Sequence, residues 1–163
     1  MKILFVCSAN VSRSFLAERL LREEMDSLGI KDVFISSAGL HAFPGSPADP
    51  RMVEHLAGMG FSVPAHEARV MSKEDAEWAD FILVMEKGHV QTIRNLWPVA
   101  GPKVQLLGRC LPGSGEGDEI IDPFARSVYH YRLAQSQITL AVKTLARWLA
   151  SGRGKGSPCS GSG

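Results

Sequence analysis

The chain has almost no charge imbalance: 18 Lys and Arg stand against 17 Asp and Glu, a net charge of +1. A nucleic-acid partner would require a basic surplus on one face. No nucleic-acid binding is expected, and any anion site must be a local device. Long apolar runs are missing too. None approaches the roughly 20 residues of a membrane span. The apolar stretch behind Met1 and Lys2 is too short for the core of a secretory signal. The expectation is no membrane association and a cytoplasmic location. Cysteine is scarce: Cys7, Cys110 and Cys159 cannot all pair, and their spacing is not that of a zinc site. A reducing compartment suits them. His41, His55, His66, His89 and His130 show no ligand spacing either, so no metal and no cofactor are expected. The glycine-rich run 113–117 lacks the Lys-Ser/Thr of a nucleotide loop. No internal repeat is visible.

What is present is ordinary globular usage, 45% hydrophobic and 21% charged over 163 residues. That suits one domain with one sizeable core. Residues 3–6, Ile-Leu-Phe-Val, form a continuous apolar run, typical of a parallel strand covered on both faces. Phe15, Leu16, Ala17, Leu20, Leu21, Met25 and Leu28 then recur at helical spacing up to Gly29, a stop signal. Further strands are expected at 33–35, 81–85 and 104–107. Helices are expected from the Asp49-Pro50 cap to Gly58 or Gly60, over 87–96, and over 126–150. Residues 111–117 read as a loop. Strand and helix alternate, so the fold class is α/β: a single-domain parallel four-stranded sheet flanked by helices. Residues 1–150 form the domain. Residues 151–163, rich in Gly and Ser, are expected to be a disordered tail.

Ligands in such folds sit beyond the carboxyl ends of the strands. Cys7 lies there, directly after the first strand, and Arg13 opens the first helix after five intervening residues. This is a fitting place for a phosphate loop. Backbone N–H groups can turn inward, the helix N-terminus adds the positive end of its dipole, and Arg13 can grip two oxygens with its planar fork. The same surroundings favour the nucleophilic thiolate of Cys7. Ser14 can donate a hydrogen bond to that sulfur. Asn10 tolerates the left-handed backbone such a loop often needs. The bland alternative is a small buried Cys7 filling a strand end and a solvated Arg13. For an isolated pair at this spacing the bland reading would prevail; the switch from strand to helix favours the anion loop.

With these residues in view, the chain resembles the low-molecular-weight protein tyrosine phosphatase family over about residues 1–150. Residues 6–14, Val-Cys-Ser-Ala-Asn-Val-Ser-Arg-Ser, look like its phosphate loop. Residues 37–40 look like its Ser-Ala-Gly segment, 79–85 like its central strand, and Ile121-Asp122-Pro123-Phe124 like its Asp-Pro-aromatic loop. The resemblance implies catalytic roles for three residues. Cys7 would attack phosphorus to give a cysteinyl-phosphate intermediate, Arg13 would hold the phosphoryl oxygens, and Asp122 would serve as general acid and then base. It implies substrate contacts at Ser8, Ala9, Asn10, Val11, Ser12, Arg13, Ser14, Phe43 and Phe124, with Ser37 and His66 supporting Asn10. The implied partner is a phosphotyrosine-containing protein. The enzyme itself would be a monomer, with at most a weak homodimer. Ordinary alternatives exist for each supporting residue: Asp122 as a turn residue, Ser37 as a strand end, His66 as a surface histidine, Phe43 as an anchor for its own loop.

The chain departs from the family pattern at Ser12, where a second cysteine is frequent, at Phe15, where proline is frequent, and at Ala125, where a second aromatic would stand. Two relatives of the same fold remain as alternatives. A thioredoxin-coupled arsenate reductase needs a thiol able to reach Cys7, and none occurs before Cys110. A protein arginine phosphatase typically carries Thr where this chain has Val11. An alternative of another class, a non-catalytic phosphate-binding regulatory module, would be favoured by loss of Cys7, Arg13 or Asp122, and all three are present.

Overall fold

The computed structural model describes residues 1–114, 118–152 and 156–159. Four strands, β1 (Lys2–Cys7), β2 (Phe34–Gly39), β3 (Phe81–Val84) and β4 (Val104–Leu106), make one parallel sheet in the order β2-β1-β3-β4. The helices are α1 (Arg13–Ser27), α2 (Pro50–Gly58), α3 (Lys73–Trp78), α4 (Lys87–Leu96) and α5 (Val128–Ala150). Short 3-10 turns flank β4 at Pro98–Lys103 and Leu107–Cys110.

The period-2 geometry of β1 explains the two-sided core. Ile3, Phe5 and Cys7 face one side, where α1 and α5 supply Leu16, Leu20, Leu21, Ile138, Val142 and Leu145. Leu4 and Val6 face the other, against Ile82, Val84, Ala76 and Ile93. A continuous apolar run is what a strand buried on both faces requires. Phe15 is 1% exposed and stacks at 4.8 Å on His66, so this position belongs to the packing beneath the loop. Among the described residues, no helix is long and apolar enough to cross a membrane.

The crossover from β1 leads to β2 on one side, while β3 joins β1 on the other. The loop after β1 therefore opens at the topological switch point, where the ends of neighbouring strands diverge and leave a crevice.

The structure adds three features to the reading of the sequence. Helix α3 was not anticipated. Its six residues are too few to show a period, and its signal is local: a capping box in which Ser72 and Asp75 exchange side-chain and backbone hydrogen bonds. The three cysteines are not all free, because Cys110 and Cys159 form a disulfide with Cα atoms 4.7 Å apart. Nor is the whole of 151–163 a loose tail. Residues 156–159 lie against β4, where Gln105 donates to the Pro158 carbonyl at 3.1 Å and accepts from Ser157. Composition argued for disorder there, but one covalent link and a buried amide partner hold these four residues. Residues 153–155 and 160–163 of that expected tail, and 115–117 of the expected loop, lie outside the described residues.

Candidate active site

The loop between β1 and α1 is built around the side chain of Asn10. This residue is fully buried with φ +57°, a left-handed turn that a short polar side chain tolerates. Its amide is fixed from both ends. The Arg69 backbone N–H donates to Oδ1 at 3.1 Å, so the amide nitrogen must point the other way. There it donates to Ser14 Oγ at 3.0 Å and Ser37 Oγ at 2.9 Å. Each hydroxyl, having accepted from Asn10, is free to donate onward. Ser37 donates to Glu18 at 2.5 Å. Ser14 Oγ lies 2.9 Å from Cys7 Sγ, and toward a thiolate, which can only accept, Ser14 is the donor. His66 Nε2 lies 2.6 Å from the Asn10 carbonyl, which can only accept, so this nitrogen carries the proton.

The backbone of the loop is clamped by the end of β2. Leu40 N–H donates to the Cys7 carbonyl at 3.0 Å and His41 N–H to the Ser8 carbonyl at 2.8 Å. A Cβ on Gly39 would stand 2.6 Å from that Ser8 oxygen, which is why this segment ends in glycine.

Arg13 is 2% exposed. Its guanidinium donates to the Ile120 carbonyl at 2.9 Å and to Glu86 Oε2 at 2.7 Å, and its Nη2 lies 3.7 Å from Asp122 Oδ2. Two bonds fix the plane of the fork and leave further N–H groups to meet an anion. No side chain among the described residues caps the N-terminus of α1, so its end is open to a negatively charged ligand. Beneath Ser12, Asp49 receives the Ser12 hydroxyl at 3.3 Å and the Tyr131 hydroxyl at 2.6 Å, and its own N–H donates to the Val11 carbonyl at 2.8 Å. Burial first, and Asp49 second, push the Tyr131 phenol up to about 12. It therefore stays a donor at neutral pH.

Above the loop is a cleft of about 180 Å³ lined by Cys7, Ser8, Ala9, Val11, Ser12, Arg13, Asp122 and Phe124. Asp122 is about half exposed, and its Oδ1 accepts the Phe124 N–H at 3.1 Å. The loop is completed by Ala125 at φ +56°, a conformation costly for a residue with a Cβ. Of the residues expected to contact substrate, Asn10 and Ser14 are fully buried and lie beneath the cleft. Phe43 is 82% exposed and does not line it. Phe43 sits on the loop stitched to Ala68 through Gly45, which carries it out toward solvent.

Sequence reading missed Glu86, Asp49, Tyr131, Arg69, Glu18 and His89. Only Glu86 had a usable signal, since it follows the carboxyl end of a central parallel strand, where functional groups gather.

The fold and this loop define a phosphate-binding α/β enzyme with a free thiol at the base of its anion cleft. Comparison with known proteins narrows the class. The family model described as low molecular weight phosphotyrosine protein phosphatase matches residues 2–153. The low molecular weight protein-tyrosine-phosphatase Etp of Escherichia coli K12 is 35% identical over 125 residues, 77% of this chain and 78% of that protein. The tyrosine phosphatase Wzb from Escherichia coli K30, solved with sulphate, is 30% identical, with a TM-score of 0.79 over 91% of this chain and 97% of that one. The arginine phosphatase YwlE, solved as a mutant with a phosphorylated active-site serine, is also 30% identical, with a TM-score of 0.85 over 94% and 98%. The chain belongs to the low molecular weight phosphotyrosine protein phosphatase family and is a phosphatase of phosphorylated proteins.

Proposed function

We propose that the chain hydrolyses phosphotyrosine in protein substrates through a cysteinyl-phosphate intermediate. The observation that carries this reading is that Asp122, distant in sequence from Cys7 and Arg13, borders the same small cleft as they do. In the first step the Cys7 thiolate attacks phosphorus and the bond to the phenolic oxygen breaks. Asp122 gives its proton to that oxygen, so tyrosine leaves neutral. In the second step the Asp122 carboxylate takes a proton from water. The water oxygen bonds to phosphorus, the S–P bond breaks, and phosphate departs. Ser14, donating to Sγ, stabilises the sulfur as it leaves. Arg13, the loop N–H groups and the α1 N-terminus hold the phosphoryl oxygens throughout. Phe124, 71% exposed at the rim, supplies an apolar wall for an aromatic ring.

Residues 1–150 form the catalytic domain, and it acts as a monomer on proteins rather than on nucleic acids or membranes. A cytoplasmic location suits a reactive free Cys7, although the Cys110–Cys159 disulfide is of a kind that persists in oxidising surroundings.

A second reading, arginine phosphatase, is favoured by the likeness to YwlE. Val11 argues against it, because it lines the cleft with the shape of threonine and no hydroxyl. Hydrolysis of matched phosphotyrosine, phosphoarginine and phosphoserine peptides, with arsenate reduction assayed in parallel, separates these readings. The highest kcat/KM is expected on phosphotyrosine. A preference for phosphoarginine, or arsenate turnover coupled to thiol oxidation, would overturn that assignment.

Peroxide should inactivate the enzyme by carrying Cys7 past sulfenic acid to sulfinic and sulfonic acid. Ser12 cannot trap the first product, and Cys110 and Cys159 are already joined to each other. Mass spectrometry should locate the added oxygen on Cys7, and Ser12→Cys should convert the loss into one that dithiothreitol reverses. A reversible disulfide from Cys7 to Cys110 or Cys159 in the wild-type chain would show instead that thiol exchange reaches the site.

A further inference from the structure

His89 has no part in the chemistry above, yet it touches both sides of the site from a position only 7% exposed. Its Nε2 is 3.0 Å from Ser8 Oγ, and its Nδ1 accepts the backbone N–H of Glu86 at 3.2 Å. The second bond settles the first. A backbone N–H can only donate, so Nδ1 must present its lone pair, and the neutral ring carries its proton on Nε2. That N–H therefore donates to Ser8 Oγ. A hydroxyl has one hydrogen and two lone pairs. With a lone pair turned to His89, the Ser8 hydrogen is left to point elsewhere. Ser8 follows the nucleophile and lines the cleft. Its main chain is held by His41.

We infer that His89 is a positioning residue that holds the Ser8 hydroxyl as a hydrogen-bond donor to the phosphoryl group in the cleft. This rests on the reading that the cleft takes a phosphoryl group. His89 also joins the two halves of the anion site. Through the Glu86 N–H it helps cap α4, and the Glu86 carboxylate, 3.4 Å from Nε2, is the one that braces Arg13. A protonated ring would set an Nδ1–H against the Glu86 N–H, donor against donor. Burial first, then the Arg13 charge, hold the ring's pKa below its ordinary value, against the opposing pull of Glu86, Asp122 and Glu119. The neutral, directed tautomer is the one present at neutral pH.

Two substitutions separate this role from plain helix capping. His89→Asn sets an amide oxygen near the place of Nδ1, keeping an acceptor for Glu86 and losing Ser8. His89→Gln sets an amide nitrogen near the place of Nε2, keeping a donor for Ser8 and losing the cap. With p-nitrophenyl phosphate as substrate, His89→Asn and Ser8→Ala should each lower kcat/KM by about tenfold, the size of a hydrogen bond to a charged group. The double variant should be no worse than either, because both remove the same hydroxyl contact. His89→Gln should stay within about threefold of wild type. Losses that multiply in the double variant, or the reverse ranking of Asn and Gln, would overturn the inference and leave His89 as a cap. Ring-nitrogen NMR of the wild-type enzyme provides a readout independent of folding in the variants, and a proton on Nδ1 instead of Nε2 would also overturn it. Vanadate titration of the wild-type enzyme tests the underlying reading separately: absence of binding would remove the phosphoryl site itself, whereas binding together with multiplying losses removes only the role of His89.

Discussion

Cys7→Ser is expected to abolish turnover while leaving oxyanion binding within a few-fold of wild type. The two halves of this expectation come from different atoms. Phosphate or vanadate would be held by the loop N–H groups, the α1 N-terminus and Arg13, whose fork stays braced by Ile120 and Glu86 whatever stands at position 7. Sulfur alone offers an ionisable nucleophile. Serine fits the same space beside Ser14 but remains a neutral hydroxyl at neutral pH, a far weaker nucleophile than a thiolate. Calorimetry with vanadate and a discontinuous phosphate-release assay measure the two halves. Residual activity above a few per cent of wild type would remove Cys7 as the nucleophile. Loss of binding together with activity would mean that the substitution had collapsed the loop and that the sulfur contributes to its shape.

The second large effect is expected at Asp122, where two roles compete. Its Oδ1 accepts the Phe124 N–H, as a turn residue would, while its Oδ2 faces the cleft 3.7 Å from the Arg13 fork. Asp122→Asn can keep the first contact but has no proton to give. Single-turnover phosphorylation by phosphotyrosine should therefore slow by about a hundredfold or more, the range of general acid catalysis. An aryl phosphate with an acidic phenol leaves without help, so the same variant should lose far less on it. The descending limb of the pH profile on phosphotyrosine should flatten as well. Steady-state kcat would blur the comparison, because in the proposed mechanism the carboxylate also activates water in the second step. Equal slowing on both substrates, with a lower Tm, would make Asp122 a structural turn residue and send the search for the acid elsewhere.

The site was legible in the sequence to the extent that its signals are local. The run Ile3–Val6, Cys7 after it and Arg13 at the start of a periodic apolar pattern lie within one strand–loop–helix unit. Asp122-Pro123-Phe124 is a short word of its own. The supports were not legible in the same way. Asp49 meets Tyr131 across 82 positions, Ser8 meets His89 across 81, and Arg13 meets Glu86 across 73. A polar residue at such a point looks, in sequence, like any solvated one. The orientation of the loop side chains was not legible for a related reason. A motif names the residues that make up a loop but not which of them point up, and Asn10 and Ser14 point down into the structure that holds Cys7.

By itself the sequence determined the α/β class, the strand-to-helix switch after β1, and the Cys, Arg and Asp that border the cleft. Each of these follows from neighbours along the chain: apolar period, turn residues and spacing. Only the tertiary structure decided the directions of the hydrogen bonds, from Arg69 through Asn10 and Ser14 to the sulfur, and from Glu86 through His89 to Ser8. It also decided that Cys110 is spent on Cys159 and that Phe43 stands away from the cleft. Those outcomes depend on which donors and acceptors are brought within about 3 Å, and that is fixed by how β1, β3 and the helices pack, not by any one segment.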